Sequence, residues 1–128
     1  MRALSAVVVG AQHPNAKGPT RRFAISLCRP GEKVELKREP TNPKDPHAVA
    51  VFNAIGIQMG YLSAERAPWI GGLMDKGRRV DAIFQSSTDY GAVVRIAFDG
   101  ATLELPAPND IPVVDPEFFA DPDYPDEF

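Results

Sequence analysis

Apolar and polar residues alternate in short bursts along most of this chain, and Gly, Pro and Asn break the bursts every few residues. Ala3 to Val9 is a β-branched run that stops at Gly10, which predicts a strand. Residues 10–20 hold two Pro, two Gly, Asn15 and Lys17 and read as a loop. From Arg22 to Leu27 the apolar positions Phe23, Ile25 and Leu27 alternate, which predicts a second strand. After a turn at Arg29-Pro30-Gly31-Glu32, the segment Lys33 to Glu39 alternates strictly between apolar and charged, so one face is buried and the other wet. Pro40, Pro43 and Pro46 forbid regular structure up to His47. Ala48 to Phe52 and Ile57 to Leu62 are two more strands around a turn at Asn53 to Gly56.

The period then changes. Ala67, Ile70, Leu73 and Met74 fall at helical spacing, with Ser63 as an N-cap candidate and Gly77 as the stop. Pro68 and the Gly71-Gly72 pair argue for two short turns rather than one straight rod. Val80 to Gln85, Ala92 to Phe98 and Ala101 to Leu105 complete the strands, with Tyr90-Gly91 and Asp99-Gly100 as the turns. The predicted fold is mainly β: a small OB-like or SH3-like barrel of six or seven short strands with a short helical insertion.

Charge divides the 128 residues in two. Residues 1–105 carry all 14 Lys and Arg against ten Asp and Glu, and residues 106–128 carry seven acids and no base. Six of the 13 prolines and none of the ten glycines lie in that last stretch. The expected organisation is therefore a basic barrel domain, 1–105, followed by an acidic, Pro-rich, aromatic tail, 106–128. No apolar run is long enough to span a membrane, and Ala3 to Val9 leads to no cleavage site, so neither a membrane association nor a secretory leader is expected. One cysteine and two histidines give no expectation of a metal or other cofactor, and a reducing, cytoplasmic setting fits.

The most informative stretch is Leu36-Lys37-Arg38-Glu39-Pro40-Thr41-Asn42-Pro43-Lys44-Asp45-Pro46-His47-Ala48-Val49-Ala50-Val51. Gly60-Tyr61-Leu62 and Leu73-Met74-Asp75-Lys76-Gly77 follow it in order, and Val7-Val8-Val9-Gly10 precedes it. This set resembles the HIRAN domain, found at the N-terminus of SWI/SNF-type fork-remodelling helicases and, in bacteria, alone or fused to other modules. The resemblance covers roughly residues 5–100 and implies an OB-like barrel with a helical insertion. It also implies a non-catalytic module that binds single-stranded DNA, in particular its free 3′ end, in repair or replication.

Candidate site residues follow from that pattern and from their chemistry. Arg38 offers a forked donor to phosphate, and Asn42 a donor and an acceptor to a base edge. Asp45 repels phosphate but accepts from a free 3′-hydroxyl, which suits a reader of chain ends. Tyr61 offers a ring for stacking. Gln12, His13, Lys44 and Tyr90 are peripheral candidates. Gln12 and His13 stand where DNA-binding members carry an Arg followed by aromatics, and Ala64 aligns with a Lys at their helix start. Each candidate also has a structural reading: Asn42 and Asp45 as staples of a proline-rich turn, Arg38 paired with Glu39 or Asp45, Tyr61 as a core aromatic. Arg21-Arg22 and Arg78-Arg79 read as solvated strand ends, with the continuation of a phosphate track as the alternative.

Two further function classes compete. An adaptor module would fill the same groove with an acidic peptide, its own tail or a partner protein's. The tail ends in Asp126-Glu127-Phe128, similar in character to the acidic tips of bacterial single-stranded-DNA-binding proteins. A metal-dependent nuclease or hydrolase would use Asp45-Pro46-His47, Ser63 or Ser86, but no G-x-S-x-G or P-loop accompanies them.

Overall fold

A computed structural model describes residues 3–106 of the chain. The six strands are β1 (Ala3–Val9), β2 (Lys33–Arg38), β3 (Val49–Phe52), β4 (Gln58–Leu62), β5 (Val80–Ser87) and β6 (Ala92–Phe98). They close into an antiparallel barrel in the order β1-β4-β3-β2-β5-β6. Closure removes the exposed edges that strands this short would otherwise present. Inward positions form one core: Leu4, Ala6 and Val8 from β1, Val49 and Val51 from β3, Met59 from β4, Val94 and Ile96 from β6.

Two helices attend the barrel. The first, α1, spans Arg21–Ser26, where the alternation of Phe23, Ile25 and Leu27 predicts a strand. Thr20 starts it by accepting the Phe23 N–H, and the face that is buried is Arg21, Ala24 and Ile25, at helical spacing. Phe23 and Leu27, four residues apart, both point to solvent. A six-residue window fits both periods, and the cap decides between them.

The second helix, α2, runs as a single element over Ala67–Asp75, not as two turns. Ser63 accepts backbone N–H groups of Arg66 and Ala67 through its carbonyl, so it begins the preceding turn rather than capping α2. Pro68 sits in the first turn, where its missing N–H costs nothing. Gly71 is a packing notch: a Cβ there would lie 2.9 Å from Cδ of Arg38. Gly77, at φ +79°, ends the helix as expected.

The Asp99-Gly100 turn forms, with both residues at positive φ and Ala101 N–H donating to the Phe98 carbonyl. No strand follows it: residues 101–106 pair with nothing regular, so the barrel has six strands among the described residues. The rest of the tail lies outside the described residues.

Candidate nucleic-acid interface

The end of β1 is the common neighbour of the candidate residues. Val8 stands opposite Ala92, which follows the Tyr90 turn, and Val9 stands opposite Tyr61 on β4. Tyr61 in turn pairs with Ala50 on β3, just after the proline-rich loop 39–48. On the outer face of these three strands Val7, Val9, Ala48, Ala50 and Tyr61 make a second small core. Loop 10–20 folds over it, with Asn15 donating to the Gln58 carbonyl.

A chain of polar contacts runs through this outer core. Arg21 is only 2% exposed, and its guanidinium lies 5.3 Å from the centre of the Tyr61 ring. It donates to the Gly10 carbonyl at 2.9 Å and to Asn15 Oδ1 at 2.9 Å, which closes loop 10–20. The Tyr61 hydroxyl donates to Glu39 Oε1 at 2.9 Å, and Asn42 Nδ2 donates to the same oxygen at 3.0 Å. Asn42 Oδ1 then accepts the backbone N–H groups of Lys44 and Asp45, and Asp45 Oδ1 accepts that of His47 at 2.8 Å. Burial, with the Glu39 contact adding to it against an opposing hydrogen bond with Gln58, pushes the Tyr61 phenol up to about 12.

Arg38 holds the same loop from below. Its Nε and Nη2 make a forked pair with the two Asp75 oxygens, each at 3.1 Å, and Nη1 donates to the carbonyls of Pro46 and Ala48. The guanidinium keeps the Asp75 carboxyl below its ordinary value, chiefly through that hydrogen bonding. The partner comes from α2, where Gly71 leaves room for the Arg38 stem to pass.

Three candidates therefore sit elsewhere than a ligand-contacting role requires. Tyr61, 2% exposed, has no open ring face for a base, because Arg21 and loop 10–20 cover it. Arg38 is committed to α2 and two carbonyls, so its fork is not presented to a phosphate. Asn42, 8% exposed, spends both ends of its amide on the loop. Lys44, Asp45, Gln12, His13 and Tyr90 remain at least partly exposed around them. Tyr90 is 43% exposed on its turn, and Gly91 beside it packs so closely on β1 that a Cβ would meet the Val8 carbonyl.

Arg21 and Glu39 take places that the sequence reading did not give them: Arg21 lies buried against Tyr61 rather than on a solvated strand end, and Glu39 accepts from Tyr61 and Asn42 rather than pairing with Arg38. A cation two residues after Pro19 looks solvated; only the Thr20 cap, which turns Arg21 inward, signals otherwise. Arg78 and Arg79 are exposed but paired, with Asp99 and Asp81. Loop 10–20 also bounds a cleft of about 250 Å³ containing Lys17 and the half-buried Phe52, a cation and a ring that the motif does not include. No group of three or more His, Cys, Asp or Glu placed to hold a metal occurs among the described residues.

A closed antiparallel barrel of six short strands with two short helices defines a small OB-like β-barrel. The chain belongs to the HIRAN domain family, whose model matches residues 2–98. Over 54 residues it is 41% identical to the helicase-like transcription factor of Oryctolagus cuniculus and 37% to that of Homo sapiens. Those matches cover 42% of this chain and only 5% of the relatives' length. The crystal structure of the HIRAN domain of human HLTF is similar with a TM-score of 0.62 and 25% identity, over 76% of this chain and 74% of that one. The NMR structure of the HLTF HIRAN domain in its DNA-bound conformation is similar with a TM-score of 0.55 and 26% identity, over 78% and 76%. A Lactobacillus plantarum protein of 19% identity shares the fold at a TM-score of 0.52 over 93% of its length.

Proposed function

We propose that this chain is a non-catalytic module that binds single-stranded DNA and reads its free 3′ end, serving repair or replication. Family membership and likeness to a HIRAN domain described in a DNA-bound conformation support the nucleic-acid part. The observation that carries the site is the contact chain in which the Arg21 guanidinium lies over the Tyr61 ring and Tyr61 and Asn42 both donate to Glu39, while Asn42 accepts the backbone N–H groups of Lys44 and Asp45. Lys44, Gln12 and His13 supply the phosphate and base contacts, Tyr90 supplies a stacking ring, and Asp45 accepts from the terminal hydroxyl. Arg38, Asn42 and Tyr61 are positioning residues. Asp45 Oδ1 is engaged by His47 N–H, which leaves Oδ2 for a ligand donor.

The test is fluorescence anisotropy with single-stranded oligonucleotides ending in 3′-hydroxyl or 3′-phosphate, at two salt concentrations. Affinity should fall with salt and favour the hydroxyl end. Asp45→Ala should abolish that preference while leaving the thermal midpoint in place. Equal affinity for both ends in the unmodified chain would sink the end-reading assignment.

An adaptor role is favoured by one observation: Gln12 and Ala64 replace both cations expected from the family pattern. Absence of binding to any oligonucleotide, with retention of acidic peptides, would select it.

A further inference from the structure

The cleft between loop 10–20 and the β3–β4 turn lies outside the set of residues that the family pattern groups. Asn15, Lys17 and Pro19 line it from the loop, and Phe52, Ile57 and Gln58 from the strands and their turn. A bulge shapes its strand side. Val51 pairs with Gly60 and Phe52 with Gln58, so Met59 is an extra residue on β4. Met59 enters the inner core while Tyr61, two residues on, joins the outer one, and Gln58 comes to the Tyr61 side. Phe52 packs against that outer core yet is only half-buried, so its ring is held with part of its surface open.

Three groups of different chemistry meet here. The Phe52 ring is already packed, so it loses little freedom when another ring stacks on it. Lys17 is exposed on the loop and is the one charge in the lining; Glu35, opposite Phe52 on β2, is not part of it. Gln58 donates through Nε2 to the Gly60 carbonyl at 3.2 Å, which leaves Oε1 to accept. A ring, a cation and an amide acceptor match the base face, the phosphate and a base-edge donor of one nucleotide. The cleft over β5 lacks this combination among the described residues: its Arg79 is bonded to Asp81, and no aromatic ring lines it.

Position ties the cleft to the loop-lined face. Loop 10–20 carries Gln12 and His13 near its start and lines the cleft from its middle. Ala48, where loop 39–48 ends, and Phe52 are four residues apart along the chain into β3, about 13 Å at about 3.3 Å per residue. Single-strand tracks on OB folds hold about 4 to 16 nucleotides, more than a pocket for a chain end engages by itself.

We infer that this cleft is a second contact point on the same single strand, where an internal nucleotide stacks its base on Phe52 and sets a phosphate against Lys17, on the 5′ side of the end held at loop 39–48. This rests on the nucleic-acid reading above and extends it from the chain end to the strand behind it. The end would supply the selectivity, and the cleft affinity that grows with strand length.

The experiment uses the full chain and a single-stranded oligonucleotide of about 12 nucleotides with a 3′-hydroxyl, made abasic at one position at a time. In the unmodified chain affinity should drop at the 3′ end and again, by about tenfold, at an internal position. Phe52→Leu should erase the internal drop and keep the terminal one. Lys17→Ala, a change on an exposed loop residue, should leave the thermal midpoint in place and lower the salt slope of log affinity by about 0.7. Preference for the hydroxyl over the phosphate end should survive both. A profile that is end-selective but flat at every internal position would overturn the cleft contact and leave the end-reading module standing. So would an internal drop that persists in Phe52→Leu, or a salt slope unchanged by Lys17→Ala. No binding of any oligonucleotide would remove both readings, and an acidic peptide held through Lys17 would then assign the cleft to a protein partner.

Discussion

The two loops that flank Tyr61 are fixed in opposite ways. Loop 39–48 is held largely from within and below: Asn42 closes the turn, and Arg38 ties its far end to α2. Loop 10–20 is held by Asn15, which donates to the Pro19 and Gln58 carbonyls, and by a side chain that returns after the loop is finished, Arg21, gripping Gly10 and Asn15. The first loop carries its own scaffold in its sequence; the second borrows one from a helix. What joins them is Tyr61, ring under Arg21 and hydroxyl on Glu39. The motif residues Arg38, Asn42 and Tyr61 frame these loops.

That contrast makes Arg21 the most vulnerable point. Arg21→Met should cost about 3 kcal/mol, since two acceptors lose a buried charged donor, and should loosen loop 10–20 first. Urea unfolding gives the magnitude, and hydrogen exchange at His13 and Asn15 shows whether the loop opens ahead of the barrel. A uniform loss across the barrel would contradict the division of labour.

Arg38→Ala comes next, at about 2 kcal/mol for the bonds to Pro46 and Ala48. Here the exchange should rise in residues 40–47 while 10–20 stays protected. Nucleic-acid affinity should fall with it, although the Arg38 donors are taken up by Asp75, Pro46 and Ala48. An Arg38→Lys variant that restores affinity fully would mean a simple charge suffices and the fork is irrelevant.

Tyr61→Phe removes the link between the loops and should cost about 1 kcal/mol. It also has a pH consequence. The native phenol holds its proton up to about 12, above its ordinary value of 10.0. The unfolded chain therefore releases that proton first, and stability falls as pH rises through this window. The Phe variant should lack that alkaline loss in denaturant titrations at pH 9 to about 11.

The smallest effect is at acid pH. Asp75 titrates below its ordinary 3.8 in the folded protein, so the unfolded state takes up the proton first. The contribution of the Arg38–Asp75 pair is present above that value and is lost as pH falls through the lower, native one. Asp75→Asn should flatten this limb of the stability curve. Salt should weaken it, because Asp75 is exposed. Cys28, half-buried and pushed up to about 11 by burial and by Glu32, should stay unreactive to thiol reagents at neutral pH.

Much of this architecture was legible beforehand. Alternation from Lys33 to Lys37 places Val34 inside and Lys33, Glu35 and Lys37 outside. The prolines between Pro40 and Pro46 mark a loop, and the spacing of Ala67, Ile70 and Leu73 marks α2. These readings hold because the period is a local property of the backbone: side chains repeat every two residues in a strand and every 3.6 in a helix. The misread segment, 22–27, is short enough to satisfy both, and the strand expected at 101–105 found no partner edge on a barrel already closed.

The candidate site shows the other limit. The residues that the sequence pattern groups, Arg38, Asn42, Asp45 and Tyr61, are joined around loop 39–48. The pattern left open which of them face a ligand. That was decided by partners distant in the chain: Asp75 claims Arg38 across 37 positions, and Glu39 claims Tyr61 across 22. Propensity, period and turn chemistry act over a few residues and fix the strands and loops. The direction in which a long polar side chain spends its hydrogen bonds depends on what the closed barrel brings beside it.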